Sequence, residues 1–184
     1  RRLQLGGRVS LSEMSEMSER EDNSDPDDSY DVGIRFGDLG GWHALAVDFG
    51  GQMYAWGGNE YGQCGVDDDS CSTAGNGVHV SLHISIPLPV LSGIRIKQVA
   101  CGGMNSFAVT EHTGDVFQWG QCAGSEKEPN REPGQVKGLH EVVMLAAGSF
   151  HALALQEDGR VLSWGNGDYG QLGLGSPGNE DAPR

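Results

Sequence analysis

Three stretches of the chain alternate small and large side chains: Ala44-Leu45-Ala46-Val47, Ser106-Phe107-Ala108-Val109 and Ala152-Leu153-Ala154-Leu155. Successive side chains of a strand point to opposite faces, so a period of two predicts a β-strand in each stretch. One face of each strand is small (Ala44 and Ala46, Ser106 and Ala108, Ala152 and Ala154) and the other is large. A glycine turn follows each time, at Gly50-Gly51, Thr113-Gly114 and Asp158-Gly159. Glycine accepts the positive φ that tight hairpins require, so a second strand is predicted to return antiparallel to the first. Each returning strand ends in Trp-Gly: Trp56-Gly57, Trp119-Gly120 and Trp164-Gly165. A sheet with one small and one large face suits stacking on copies of itself, large face against the next small one.

The hairpins belong to a longer repeat. Segments Gly40 to Gly57, Gly102 to Gly120 and Gly148 to Gly165 align, the second with one extra residue in its turn. Beyond the first, Asn59-Glu60-Tyr61-Gly62-Gln63-Cys64-Gly65 answers Gly167-Asp168-Tyr169-Gly170-Gln171-Leu172-Gly173 beyond the third. The second repeat keeps only Gln121-Cys122-Ala123-Gly124 there. Upstream, Ile96, Val99 and Ala100 match Val142, Leu145 and Ala146. The period fits about four strands with their turns. Repeats are expected near 40–89, 90–135 and 136–184, the first lengthened by an insert around Asp67-Asp68-Asp69-Ser70-Cys71.

Residues 1–31 read differently. The run from Ser10 to Asp31 is acidic, rich in serine and nearly free of large aliphatics. It buries too little apolar surface to offset its ordering entropy and is expected to be disordered. Ser18 and Ser24, each with an acidic residue three positions on, resemble acidic-directed kinase sites. The propeller region is expected over 32–184.

Charge narrows the range of partners. Lys and Arg number 12 against 26 Asp and Glu, for a formal net charge of −14. A grip on nucleic-acid phosphates needs clustered basic side chains, so direct nucleic-acid binding is not expected, nor is attachment to an anionic membrane. A basic protein surface is the complementary partner. No apolar run is long enough to span a bilayer. The four cysteines, Cys64, Cys71, Cys101 and Cys122, form no C-x-x-C pair and read as free thiols of a reducing compartment, cytoplasmic or nuclear, with a Cys64–Cys71 disulfide as the alternative. The start at Arg1-Arg2-Leu3 reads as a cut from a longer chain.

The combined pattern G-x-x-H, alternating apolar residues, D-G-x-V, W-G and N/D-x-Y-G-Q-L-G resembles the repeat of the regulator-of-chromosome-condensation family. Residues 148–175 fit it almost completely, 40–65 well and 90–120 more weakly. The resemblance implies an all-β fold: a partial β-propeller, about three four-stranded antiparallel blades of an expected seven. It also implies a protein–protein interaction scaffold. Two alternatives follow from the same family: guanine-nucleotide exchange on the small GTPase Ran, and a regulatory propeller of a larger ubiquitin ligase or kinase. Exchange-competent members carry acidic residues between the repeat Gly and His in some blades. Here those slots hold Gly41-Trp42, Gly103-Met104 and Ser149-Phe150. Light-sensing members cluster tryptophans with arginines, but Trp42 is followed by His43 and no such cluster appears.

Most recurring residues read as parts of the blade. Trp56, Trp119 and Trp164 are expected in the core. Gly40, Gly102 and Gly148, Gly57, Gly120 and Gly165, and Tyr61-Gly62 and Tyr169-Gly170 are expected to shape turns. His43 and His151 share one position with Asn105, which cannot act as a base, so hydrogen bonding within the blade turn is expected of them. His79 and His83 lack Cys or carboxylate partners in register for a metal. No Gly-Lys-Ser/Thr loop and no G-x-S-x-G elbow is present. No enzyme activity, cofactor or metal is therefore expected. The candidates for partner binding are residues that do not recur: Trp42, Met104 and Phe150, which share one repeat slot, and the acidic Asp67, Asp68 and Asp69. For Trp42 core packing is the first expectation and a surface anchor the second, and for the three aspartates a solvated loop is the first expectation.

Overall fold

A computed structural model of the chain describes residues 33–66, 83–121 and 128–184. The chain divides into Arg1–Gly33 and Ile34–Arg184, and the second unit contains every described strand. The expectations for residues 1–31, for Asp67, Asp68, Asp69, Cys71, His79 and Cys122 lie outside the described residues.

The unit is built of three antiparallel sheets, with no helix among the described residues. The first holds β1 (Ile34–Leu39), β2 (His43–Asp48), β3 (Met53–Gly58) and β4 (His83–Val90) in sequence order. The second holds β5 (Ile96–Cys101), β6 (Asn105–Thr110), β7 (Val116–Gly120) and β8 (Asn130–Gln135), again in order. The third holds β9 (Val142–Ala147), β10 (His151–Gln156) and β11 (Val161–Gly165). Beside β11 the chain pairs antiparallel at two points, Glu180 and Arg184. Gly165 and Glu180 exchange both backbone hydrogen bonds, and so do Ser163 and Arg184. The hairpins predicted from the alternation are β2–β3, β6–β7 and β10–β11.

The sheets stack as the two-faced pattern anticipates. Leu45, Val47, Met53 and Ala55, on the large face of the first sheet, share one buried cluster with Val99, Ala108 and Trp119 of the second. Phe107, Val109 and Val116, on the large face of the second sheet, share another with Ala152, Ala154 and Trp164 of the third. Register explains why the opposing face is small. Ser106 lies opposite Trp119 and Ala152 opposite Trp164, so a small residue on one strand leaves room for the indole of its neighbour. Phe107 and Trp164 meet edge to face, 6.0 Å between centroids. Trp119 and Trp164 are buried, whereas Trp56 is half-buried at the margin of the first cluster.

Backbone hydrogen bonds lace the sheets together along both edges. At the edge carrying the β2–β3 and β6–β7 turns, the Ile96 amide donates to the Gly51 carbonyl and the Val142 amide to the Gly114 carbonyl. Gly51 and Gly114 have φ of 84° and 65°, and a Cβ at Gly114 would stand 2.6 Å from the Val142 nitrogen. At the opposite edge, Gly41 donates to Gly102 and Gly103 to Ser149. The first strands of successive sheets, β1, β5 and β9, lie side by side. Four-stranded sheets stacked face to face around adjacent first strands are successive blades of a β-propeller.

Candidate functional site

The turns between the first and second strands of each blade fall on one edge of the molecule. They are Gly40-Gly41-Trp42, Gly102-Gly103-Met104 and Gly148-Ser149-Phe150, joined in a row by the Gly41–Gly102 and Gly103–Ser149 hydrogen bonds. Glycine at Gly41 permits this approach, since a Cβ there would meet the Gly103 carbonyl oxygen at 2.8 Å.

The fold uses the last residue of each turn through its backbone. The carbonyls of Trp42, Met104 and Phe150 accept from the amides of Gly58, Gln121 and Asn166 at 2.7, 2.9 and 2.7 Å. Each of these donors follows a Trp-Gly glycine. Gly57, Gly120 and Gly165 have φ of 106°, 87° and 103°, and a Cβ at Gly57 would stand 2.6 Å from the Trp42 carbonyl oxygen. The side chains of the row are left outward. Trp42 is 73% exposed, against the expectation that it packs in the core, because the fold engages only its carbonyl; Phe150 is 45% exposed and Met104 is half-buried. A large aromatic standing in solvent on a rigid turn is the kind of anchor that protein interfaces use.

Beneath the row, the recurring histidine plays a part that differs from the expectation. The His43 ring lies over Gly40, where a Cβ would fall 2.6 Å from Nδ1; Gly148 and His151 repeat this arrangement at the same distance. His43 Nε2 then reaches out of its own blade to Ser106 Oγ on β6, at 2.7 Å. The hydrogen bond therefore joins two blades rather than closing a turn within one. Alternation places Ser106 toward the preceding blade, but the repeat alignment alone does not show which atom meets it.

The same joint is sealed by the loop after β3. Ser106 Oγ donates to the Gln63 carbonyl at 2.6 Å and Trp119 Nε1 donates to it at 2.9 Å. With its proton on Gln63, the Ser106 oxygen accepts from His43 Nε2–H, which fixes the neutral tautomer. Burial pushes the His43 pKa down from 6.5 to about 4, outweighing the Asp38 carboxylate that raises it. Within the loop, Gln63 Oε1 accepts from the Tyr61 amide and Gln171 Oε1 accepts from the Tyr169 amide, each at 2.9 Å. Gly62 and Gly170 follow with φ of 73° and 76°. The tyrosine rings contribute little to the core: Tyr169 is 93% exposed and Tyr61 half-buried. Asn59 and Gln63, both buried, are the loop's anchors; the recurrence of Gln63 as Gln171 was the available signal, whereas Asn59 is answered by Gly167.

Further clamps between blades were not legible in the repeat. The Gln98 amide pairs with both backbone groups of Leu145, and the Cys101 amide donates to Asp38 Oδ2 at 2.9 Å. Cys64 and Cys101 are buried, and burial pushes the Cys101 pKa up. Among the described residues, no three His, Cys, Asp or Glu side chains converge on a potential metal position.

Stacked blades built on hairpins that end in Trp-Gly define a propeller of repeated units, and comparison with known proteins places it. Models of the regulator of chromosome condensation (RCC1) repeat match residues 50–109 and 142–171. The chain belongs to the regulator-of-chromosome-condensation repeat family. It is 35% identical over 168 residues to the Arabidopsis thaliana RCC1 domain-containing protein RUG3, mitochondrial, covering 85% of this chain and 36% of that protein. It is 36% identical over 154 residues to the human probable E3 ubiquitin-protein ligase HERC3, covering 79% of this chain and 14% of that protein. The solved structure of Saccharomyces cerevisiae Prp20p superposes with a TM-score of 0.66 at 22% identity, covering 82% of this chain and 37% of that one, a likeness of fold alone. The chain thus spans well under half the length of the relatives it matches.

Proposed function

We propose that this chain is a protein-interaction platform whose contact surface is the row of turns bearing Trp42, Met104 and Phe150. One observation carries the reading. The fold engages these three residues through their carbonyls, so their side chains vary between repeats, and Trp42 and Phe150 stand in solvent. Loops on a rigid scaffold carry function in this way. The net charge of −14 favours a basic protein surface over nucleic acid or an anionic membrane as the partner. Catalysis is not part of the proposal. In HERC3 the region matching this chain is 14% of a probable ubiquitin ligase, which is the arrangement expected of a binding propeller within a larger enzyme. The compartment proposed is cytoplasm or nucleus, although the name of RUG3 assigns that protein to mitochondria.

Ran exchange is the competing reading. Its support is the likeness of fold to Saccharomyces cerevisiae Prp20p, a protein with binding properties toward Gsp1p and histones. Against it, Gly41-Trp42, Gly103-Met104 and Ser149-Phe150 contain no acidic residue.

Two measurements on the full-length protein separate these readings. Affinity of the captured partner should fall about tenfold or more in the Trp42→Ala/Phe150→Ala variant, the cost of truncating interface anchors. Ile86→Ala, another exposed apolar position on β4, should leave it unchanged. Equal affinity for all three proteins, or catalytic acceleration of nucleotide release from Ran, would overturn the proposal.

A further inference from the structure

The two joints between blades are not alike. Between the first and second blades, His43, Ser106, the Gln63 carbonyl and Trp119 form a closed hydrogen-bonded set. Between the second and third, His43 and Ser106 are replaced, the Tyr-Gly-Gln motif is absent from the sequence, and the retained tryptophan bonds a different acceptor. Asn105 stands in the place of His43, and Ala152 in the place of Ser106. The Tyr-Gly-Gln sequence that supplies the sealing carbonyl is missing after β7. Trp164, the equivalent of Trp119, turns its Nε1–H to Gln118 Oε1 instead, at 2.8 Å.

A cleft of about 470 Å³ lies at this joint. That volume falls in the range of about 300–1,000 Å³ typical of ligand clefts. Phe150 and Trp164 of the third blade and Asn105 of the second are among the residues that line it. Asn105 is 2% exposed and packs its Oδ1 over Gly102, as His43 packs its ring over Gly40; the Asn105 Oδ1 and the His43 Nδ1 both lack a hydrogen-bond partner, so this feature is common to the two joints. Glu128, Glu180 and Asp181 also line the cleft, against a single Lys137. Glu180 keeps its ion pair with Arg184 at 2.8 Å.

We infer that this cleft is a pocket for a basic side chain, arginine above all, presented by a protein partner. The exposed Phe150 ring suits the stem and the flat face of a guanidinium, and the carboxylates suit its charge. The inference rests on the reading of the chain as a binding platform and adds a second contact beside the turn row, with Phe150 shared by both.

The test uses the full 184-residue chain, labelled with ¹⁵N, and two capped pentapeptides. One is Gly-Ser-Arg-Ser-Gly and the other carries citrulline in place of arginine. The arginine peptide should shift the Trp164 indole N–H and the Asn105 amide saturably, leaving the Trp119 indole at the sealed joint unmoved. Glu128→Gln/Asp181→Asn, both exposed positions, should weaken the response by about fivefold, the scale of one partly screened charge pair. Trp42→Ala should not change it. Still signals at Trp164 and Asn105, or an equal response to citrulline, would overturn the pocket. A responding cleft together with partner capture that ignores Trp42 would overturn the turn-row proposal and leave the pocket standing.

Discussion

His43 shows how a single residue couples the joint to solution conditions. Its pKa is lowered by burial from 6.5 to about 4, so between those values the unfolded chain binds a proton that the folded chain refuses. The stabilisation is therefore complete above pH 6.5 and is lost as pH falls toward 4, with an upper bound of about 3 kcal/mol. Denaturant titrations should show stability rising with pH through this window. In His43→Asn, which installs the residue found at the equivalent position of the second repeat, that part of the slope should vanish. An unchanged slope would mean that His43 does not carry it. The residue type and its recurrence were legible in the sequence. Its partner was not, because Ser106 is reached across a joint between blades and lies 63 positions away.

Among the elements, equivalent strands have unequal surroundings. Met53, Val116 and Val161 each open the third strand of a blade and each pairs with the last large residue of the second strand: Val47, Val109 and Leu155. Met53 and Val116 are fully buried, whereas Val161 is 63% exposed. Met53→Ala should therefore cost about 2–5 kcal/mol, as large-to-small changes in cores do. Val161→Ala should stay within about 0.5 kcal/mol, as surface changes do. Urea midpoints on the two variants check this, and similar losses would mean that the third sheet is covered in solution.

Alternation, the glycine turns and the Trp-Gly ends were legible in the sequence because they obey local geometry: a period of two and positive φ at Gly51, Gly114 and Gly159. The stacking order was legible because small and large faces are complementary. The first strand of the first blade, Ile34–Leu39, precedes the aligned segment and carries a bulge near Ile34 and Phe36, which blurs its pattern. The candidate site was half legible. Trp42, Met104 and Phe150 stood out by not recurring, but the cleft beside Phe150 brings together Asn105 of the second blade and Ala152 and Trp164 of the third, which meet only in three dimensions.

At the scale of the whole molecule, burial is set by how many neighbours a blade has. The second blade is covered on both faces, by Leu45 and Val47 on one side and by Ala152 and Ala154 on the other. All six residues of β6 are buried. The third blade turns Leu153, Met144 and Val161 to solvent at 37%, 60% and 63% exposure. Local opening is governed by buried apolar contact, so the blades should differ in hydrogen-exchange protection although their hydrogen-bond ladders are alike. Amide exchange across β6 and β10 of this chain tests the stacked-blade account most directly. It predicts that β6 amides exchange slowest in the molecule and β10 amides distinctly faster. Equal protection of β6 and β10, or faster exchange in β6, would contradict the stacking of the three repeats as blades.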